Sequence, residues 1–128
     1  MNIKSIEEAL SIIEESASIH AKTMETGDYK VGNKHFARKM KALVYVYKQG
    51  HQADLEKYLT NEDIGIRSFA AWALLPIMEE SSKDVLQEIA GNDTYRITAF
   101  NAEMTLKLWG MGKLSSHIKK DGIGRRST

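Results

Sequence analysis

Apolar residues recur along this chain at steps of three and four. Ile6, Leu10, Ile13, Ala17 and then His20 or Ala21 mark one face of a helix over about 5–25. Ser5 and Glu8 form a capping box at its start, and Gly27 supplies the stop. Phe36, Met40, Leu43 and Tyr47, widened by Val44, give a second helix from 31 or 33 to 49, ended by Gly50. Leu55 and Leu59 point inward from a short third helix over about 51–58, and Thr60-Asn61-Glu62-Asp63 is a polar break. A fourth helix over about 64–80 is apolar on more than one face, so the pattern predicts cover on two sides. Pro76 lacks an amide donor and bends or interrupts it. Ser82 caps a fifth helix, about 83–90, with Val85, Leu86 and Ile89 inward. Asp93 caps a sixth, about 94–109, which Gly110 and Gly112 finish. Leu114 and Ile118 add a docked turn. No strand is required, so the predicted class is all-α with about six helices.

One pattern occurs twice. Asp63, Ile66, Arg67, Ala70, Ala71, Ala73 and Leu74 are matched by Asp93, Tyr95, Arg96, Ala99, Phe100, Ala102 and Met104, with Arg67 and Arg96 29 positions apart. Each Asp is placed to accept from free first-turn amides, and the alanines let helices approach closely. An Arg this early is unfavourable for the helix dipole, which predicts an acidic or carbonyl partner on a neighbouring element. Stacked helical pairs, and so an α-solenoid, are the architecture this repetition implies. Asp63, Arg67, Asp93 and Arg96 are read as structural repeat positions. Trp72, among Phe69, Ala73 and Pro76, is read as core, and Trp109 as a plug at the end of the last helix.

The run Asp63-Ile64-Gly65-Ile66-Arg67-Ser68-Phe69-Ala70-Ala71-Trp72-Ala73-Leu74 resembles the second-helix motif of HEAT-type repeats. With Gly27-Asp28-Tyr29-Lys30-Val31-Gly32-Asn33-Lys34, Val85-Leu86-Gln87-Glu88-Ile89-Ala90 and Ala102-Glu103-Met104-Thr105-Leu106-Lys107-Leu108-Trp109, the layout is similar to a family of small bacterial HEAT-like proteins catalogued as a domain of unknown function. The resemblance covers roughly residues 5–115. It implies an α/α superhelix of HEAT-like helical pairs and brings no activity or catalytic residues with it.

Composition changes this picture little. The 128 residues are 42% apolar and 27% charged, which suits one folded domain rather than a disordered chain. We expect a single domain over 1–118 and a basic, flexible tail over 119–128. No apolar run is long enough to span a membrane, no apolar signal-peptide segment follows Met1, and cysteine is absent; these point to a cytoplasmic protein. The formal net charge is +1, but its distribution is uneven. Six Lys or Arg and no acid fall between Tyr29 and Gln52, and five acids against one base between Glu7 and Glu25.

That unevenness marks the candidate surface. Lys34, Arg38, Lys41 and Lys48 share a helix face, flanked by Lys30 and Lys39, with Tyr45 beside it. Such a face contacts phosphates without reading bases, and Lys119, Lys120, Arg125 and Arg126 of the tail add charge. It serves equally as a solvated face packed beside the acidic first helix, or as a surface for an acidic protein. His20, His35, His51 and His117 form no metal-ligand motif, although His20 and His35 approach if the first two helices pair. Ser16, Ser18 and His20 make no triad, and no glycine-rich phosphate loop is present. No catalytic, cofactor-binding or metal-binding residue is assigned. The expected function is a non-enzymatic protein-interaction module; the alternative is nonspecific nucleic-acid binding through the basic face. An enzyme would instead require a deep pocket gathering residues from several helices.

Overall fold

The computed structural model describes residues 2–112. The chain forms α1 (Ile6–Thr26), α2 (Tyr29–Lys48), a 3₁₀ helix (Gln52–Thr60), α3 (Ile64–Leu74), α4 (Glu79–Ala90) and α5 (Arg96–Gly110), with no strand among the described residues. The basic segment 119–128, His117 and the expected turn at Leu114 and Ile118 lie outside them.

Local chemistry fixes the first hairpin. The Ser5 hydroxyl accepts from the Glu8 amide at 3.1 Å, and the Glu8 carboxylate accepts from the Lys4 amide at 2.9 Å, one residue before the expected partner. Gly27 adopts φ 82°, where an L side chain is strained, and its amide donates to the Thr23 carbonyl. Asp28 then caps α2 by accepting from the Val31 amide at 3.3 Å, so α2 begins earlier than its apolar pattern suggests. The two-residue turn folds α2 back along α1. The close approach is visible at Gly32, where a β-carbon would lie 2.8 Å from Thr23 Oγ1.

α1 also packs on α3 and reaches α5. Gly65 makes the α1–α3 crossing possible. A β-carbon there would sit 2.5 Å from the Ala17 carbonyl oxygen and 2.7 Å from Ala21 Cβ. Ala17, Ala21, Ala70, Ala71 and Ala73 are all buried along these helices, as the small-residue pattern predicts. Ile13, Leu43, Leu55, Leu74, Leu75, Leu86 and Ile89 complete a single core to which every element contributes, α5 through Ala102. Each such fully buried aliphatic side chain contributes about 2 kcal/mol of transfer free energy.

Several expected boundaries move. Pro76 interrupts rather than bends: α3 ends at Leu74, and the Leu74 carbonyl accepts from the Ile77 and Met78 amides in the turn that follows. α4 starts at Glu79, so Ser82 is not a cap but a buried residue of its first turn. Asp63 does cap α3, accepting from the Ile66 amide at 3.0 Å and from the Ser18 hydroxyl of α1 at 2.6 Å. Asp93 does not cap α5. It is exposed, and Asn92 instead accepts from the Thr94 and Tyr95 amides in the turn. The free amides of Ile97 and Thr98 donate to Glu25 of α1, at 2.9 and 3.1 Å. A carboxylate from a distant helix therefore does the work expected of Asp93, and it ties α1 to α5.

The two arginines diverge as well. Arg67 donates to the Asn61 carbonyl at 2.7 Å and pairs with Glu88 of α4 at 3.7 Å, which meets the expectation of an outside partner. Arg96 is exposed at the first position of α5. The doubled pattern thus corresponds to one structural motif and one partial copy. At the far end, the half-buried Trp109 packs against the core while its indole N–H donates to Glu79 at 2.8 Å, fastening the end of α5 to the start of α4.

Candidate functional site

The expected basic face of α2 is only partly assembled. Lys34, Lys41 and Lys48 are exposed at seven-residue spacing. Arg38 is drawn toward α1, 3.8 Å from Glu15, and Tyr45 is half-buried against the core. The neighbouring acidic helix therefore takes one of the four cations. Lys39, expected only to flank this face, does not belong to it at all.

Lys39 is buried, 8% exposed, because of the way α2 meets α1. The buried positions of α2 are Gly32, His35, Lys39, Ala42, Leu43 and Val46. This stripe is rotated by one residue, about 100°, from the Phe36–Met40–Leu43–Tyr47 stripe inferred from hydrophobicity. Phe36 is 48% exposed, and Met40 and Tyr47 are half-buried. The rotation turns Phe36, Lys39 and Met40 toward α3, and the Tyr47 hydroxyl donates to the Ala73 carbonyl of that helix.

Between the helices lies a cavity of about 270 Å³. α1 contributes His20 and Met24, α2 Phe36, Lys39 and Met40, α3 Ser68, Phe69 and Trp72, and α5 Thr98, Asn101 and Thr105. Phe69 and Trp72 stack with ring centroids 5.7 Å apart, so Trp72, expected in the core, is half-buried and forms part of the cavity wall. The Lys39 Nζ lies 4.4 Å from the Phe69 centroid and 5.7 Å from that of Phe36. It is 3.0 Å from His20 Nδ1, and the His20 ring packs on Phe36 at 5.4 Å.

Burial pulls the Lys39 ammonium down from its ordinary 10.5 to about 7. Among the described residues no carboxylate stands within 4.0 Å to hold the charge. The ring faces of Phe69 and Phe36 offset part of the cost, about 0.5–2 kcal/mol for such contacts. His20 is lowered from 6.5 to about 4, first by burial, then by the charge of Lys39 and then by His35. At neutral pH the imidazole is uncharged, and in the tautomer that leaves Nδ1 bare this nitrogen accepts from Nζ. His35 does pair α2 with α1, but through Ser16, whose hydroxyl lies 3.1 Å from its Nδ1, and not through His20.

The site thus offers one amine poised between charged and neutral forms, one neutral imidazole, an aromatic and thioether wall, and hydroxyl and amide groups contributed by α3 and α5. This is the gathering of residues from several helices that a chemical site requires. Among the described residues no three His, Asp or Glu side chains group so as to hold a metal ion, and no helix is long and apolar enough to cross a membrane. One signal in the sequence pointed here: His35, Lys39, Ala42 and Val46 follow helical spacing and include a cation on what becomes the packed face. Comparisons with protein-family models, with curated proteins and with solved structures found no match.

Proposed function

We propose that this chain is a binding module whose ligand is a small, largely apolar molecule seated in the cavity, with one polar group turned to Lys39. The interaction role expected from the sequence is thereby moved from the exterior of α2 to an interior site. The observation that carries the reading is the placement of Lys39 Nζ, 3.0 Å from His20 Nδ1 and against the Phe69 ring, on the wall of a 270 Å³ cavity. A buried lysine without a carboxylate partner costs stability. That cost is offset in use if a ligand supplies a further hydrogen-bond acceptor beside His20. The apolar wall supplies the area for a ring or short chain.

Titration of the isotopically labelled chain with benzyl alcohol and with benzoate, followed by NMR, tests this reading. Saturable shifts at Phe36, Phe69, Trp72 and Lys39 are expected. Shifts confined to Lys34, Lys41 and Lys48, or none, would overturn it.

A further inference from the structure

We propose that Lys39 is a nucleophile, and that the molecule it captures in the cavity is an aldehyde on a mainly apolar body, held as an imine. This rests on the reading of the cavity as the ligand site and names the chemical class of its occupant.

Three features of the geometry support it. First, Lys39, though buried, is one of the residues that line the cavity, so a carbonyl compound seated there lies beside its side chain. Second, no acid within ion-pair distance locks the ammonium in place among the described residues, and burial leaves a large neutral fraction near pH 7. A lysine desolvated among apolar side chains is the form of this residue that attacks carbonyls. Third, the uncharged His20 imidazole stands with Nδ1 3.0 Å from Nζ, and in the tautomer that leaves Nδ1 bare it is placed to take the proton that the amine must lose.

The step balances without any redox partner. The Nζ lone pair forms the C–N bond while the carbonyl π pair moves to oxygen. One amine proton passes to His20 and on to that oxygen, giving a carbinolamine. The second proton leaves nitrogen by the same route, the hydroxyl departs as water, and the C=N bond forms. Amine and aldehyde give imine and water. Ser68 and Thr105, which also line the cavity, supply hydroxyl groups for the carbinolamine oxygen.

The test uses the full chain with limiting benzaldehyde and sodium cyanoborohydride at pH 7, followed by peptide mapping. Exposed lysines are almost wholly protonated at that pH, so Lys39 is expected to gain the benzyl group at least about tenfold faster than any of them. Lys39→Met, checked for helix content by circular dichroism, is expected to leave only the slow background. Labelling of Lys39 no faster than that of Lys34, Lys41 and Lys48 would overturn the proposal. Benzyl alcohol, which cannot form an imine, separates the two readings. If it shifts the Phe69 and Trp72 signals while Lys39 is not trapped, imine capture fails and the cavity remains a binding site. If it shifts nothing and nothing is trapped, both fail.

Discussion

Lys39 Nζ and His20 Nδ1 stand 3.0 Å apart across the α1–α2 pair, two bases facing one another. Their arrangement makes the stability of the fold depend on pH in a direction that can be worked out. Lys39 titrates near 7 when folded and near 10.5 when unfolded. Below pH 7 both states carry the proton, and the burial cost is paid in full. Between 7 and 10.5 the unfolded state binds more protons, so stability rises with pH, by at most about 1.4 kcal/mol per unit. His20 acts in the same sense at lower pH: stability falls on acidification from 6.5 to about 4. Tyr47, pushed up to about 12 by burial, and Tyr58, raised by burial and by Glu14, act in the opposite sense above pH 10. Urea unfolding between pH 7 and 9.5 isolates the lysine. Wild type is expected to gain stability across that range, and Lys39→Met to show a flat profile. At pH 7 the variant is expected to be the more stable by about 1–4 kcal/mol, because a buried ammonium is replaced by an apolar side chain of similar length.

Gly65 tests the packing that shapes the cavity. Alanine is the better helix former by about 1 kcal/mol, so propensity alone predicts that Gly65→Ala stabilises α3. The added β-carbon would lie 2.5 Å from a backbone carbonyl of α1, which has no flexible end to move aside. The clash outweighs the propensity, and a net loss of about 1–3 kcal/mol is expected in denaturant unfolding.

Ser82 tests the opposite case. It is fully buried in α4, and its hydroxyl has no hydrogen-bond partner among the described residues. Ser82→Ala removes an unsatisfied polar group and improves helix propensity. A gain of about 1 kcal/mol is expected, read as a higher urea midpoint with an unchanged slope.

The elements themselves were legible because their signals are local. Ser5, Gly27 and Asp63 act where they stand in the chain, and the step of three and four locates the helices. The failures share a non-local cause. Asp93 looked like a cap, but Glu25, 72 positions before Ile97, reaches the α5 amides first. Ser82 looked like a cap because Pro76 left open whether the fourth helix bends or stops; it stops at Leu74, and α4 begins at Glu79, ahead of Ser82. The site was hidden for the same reason. Phe36, Met40, Leu43 and Tyr47 make the more hydrophobic stripe, yet tight packing at Gly32 turns the neighbouring stripe inward and carries Lys39 with it. Residue type marked Lys39 as surface; only the rotation of α2, set by contacts with α1, places it against Phe69. Of the architecture expected from the repeat, the described residues show an all-α domain of six helices.

The ionisation of Lys39 tests the account most directly. With ¹³Cε-labelled lysine, the Lys39 Cε resonance, assigned by its loss in Lys39→Met, can be followed by NMR from pH 5 to 11 in the folded chain. The account predicts a midpoint near 7, well apart from the exposed lysines. A midpoint near 10.5, shared with Lys34 and Lys41, would contradict it.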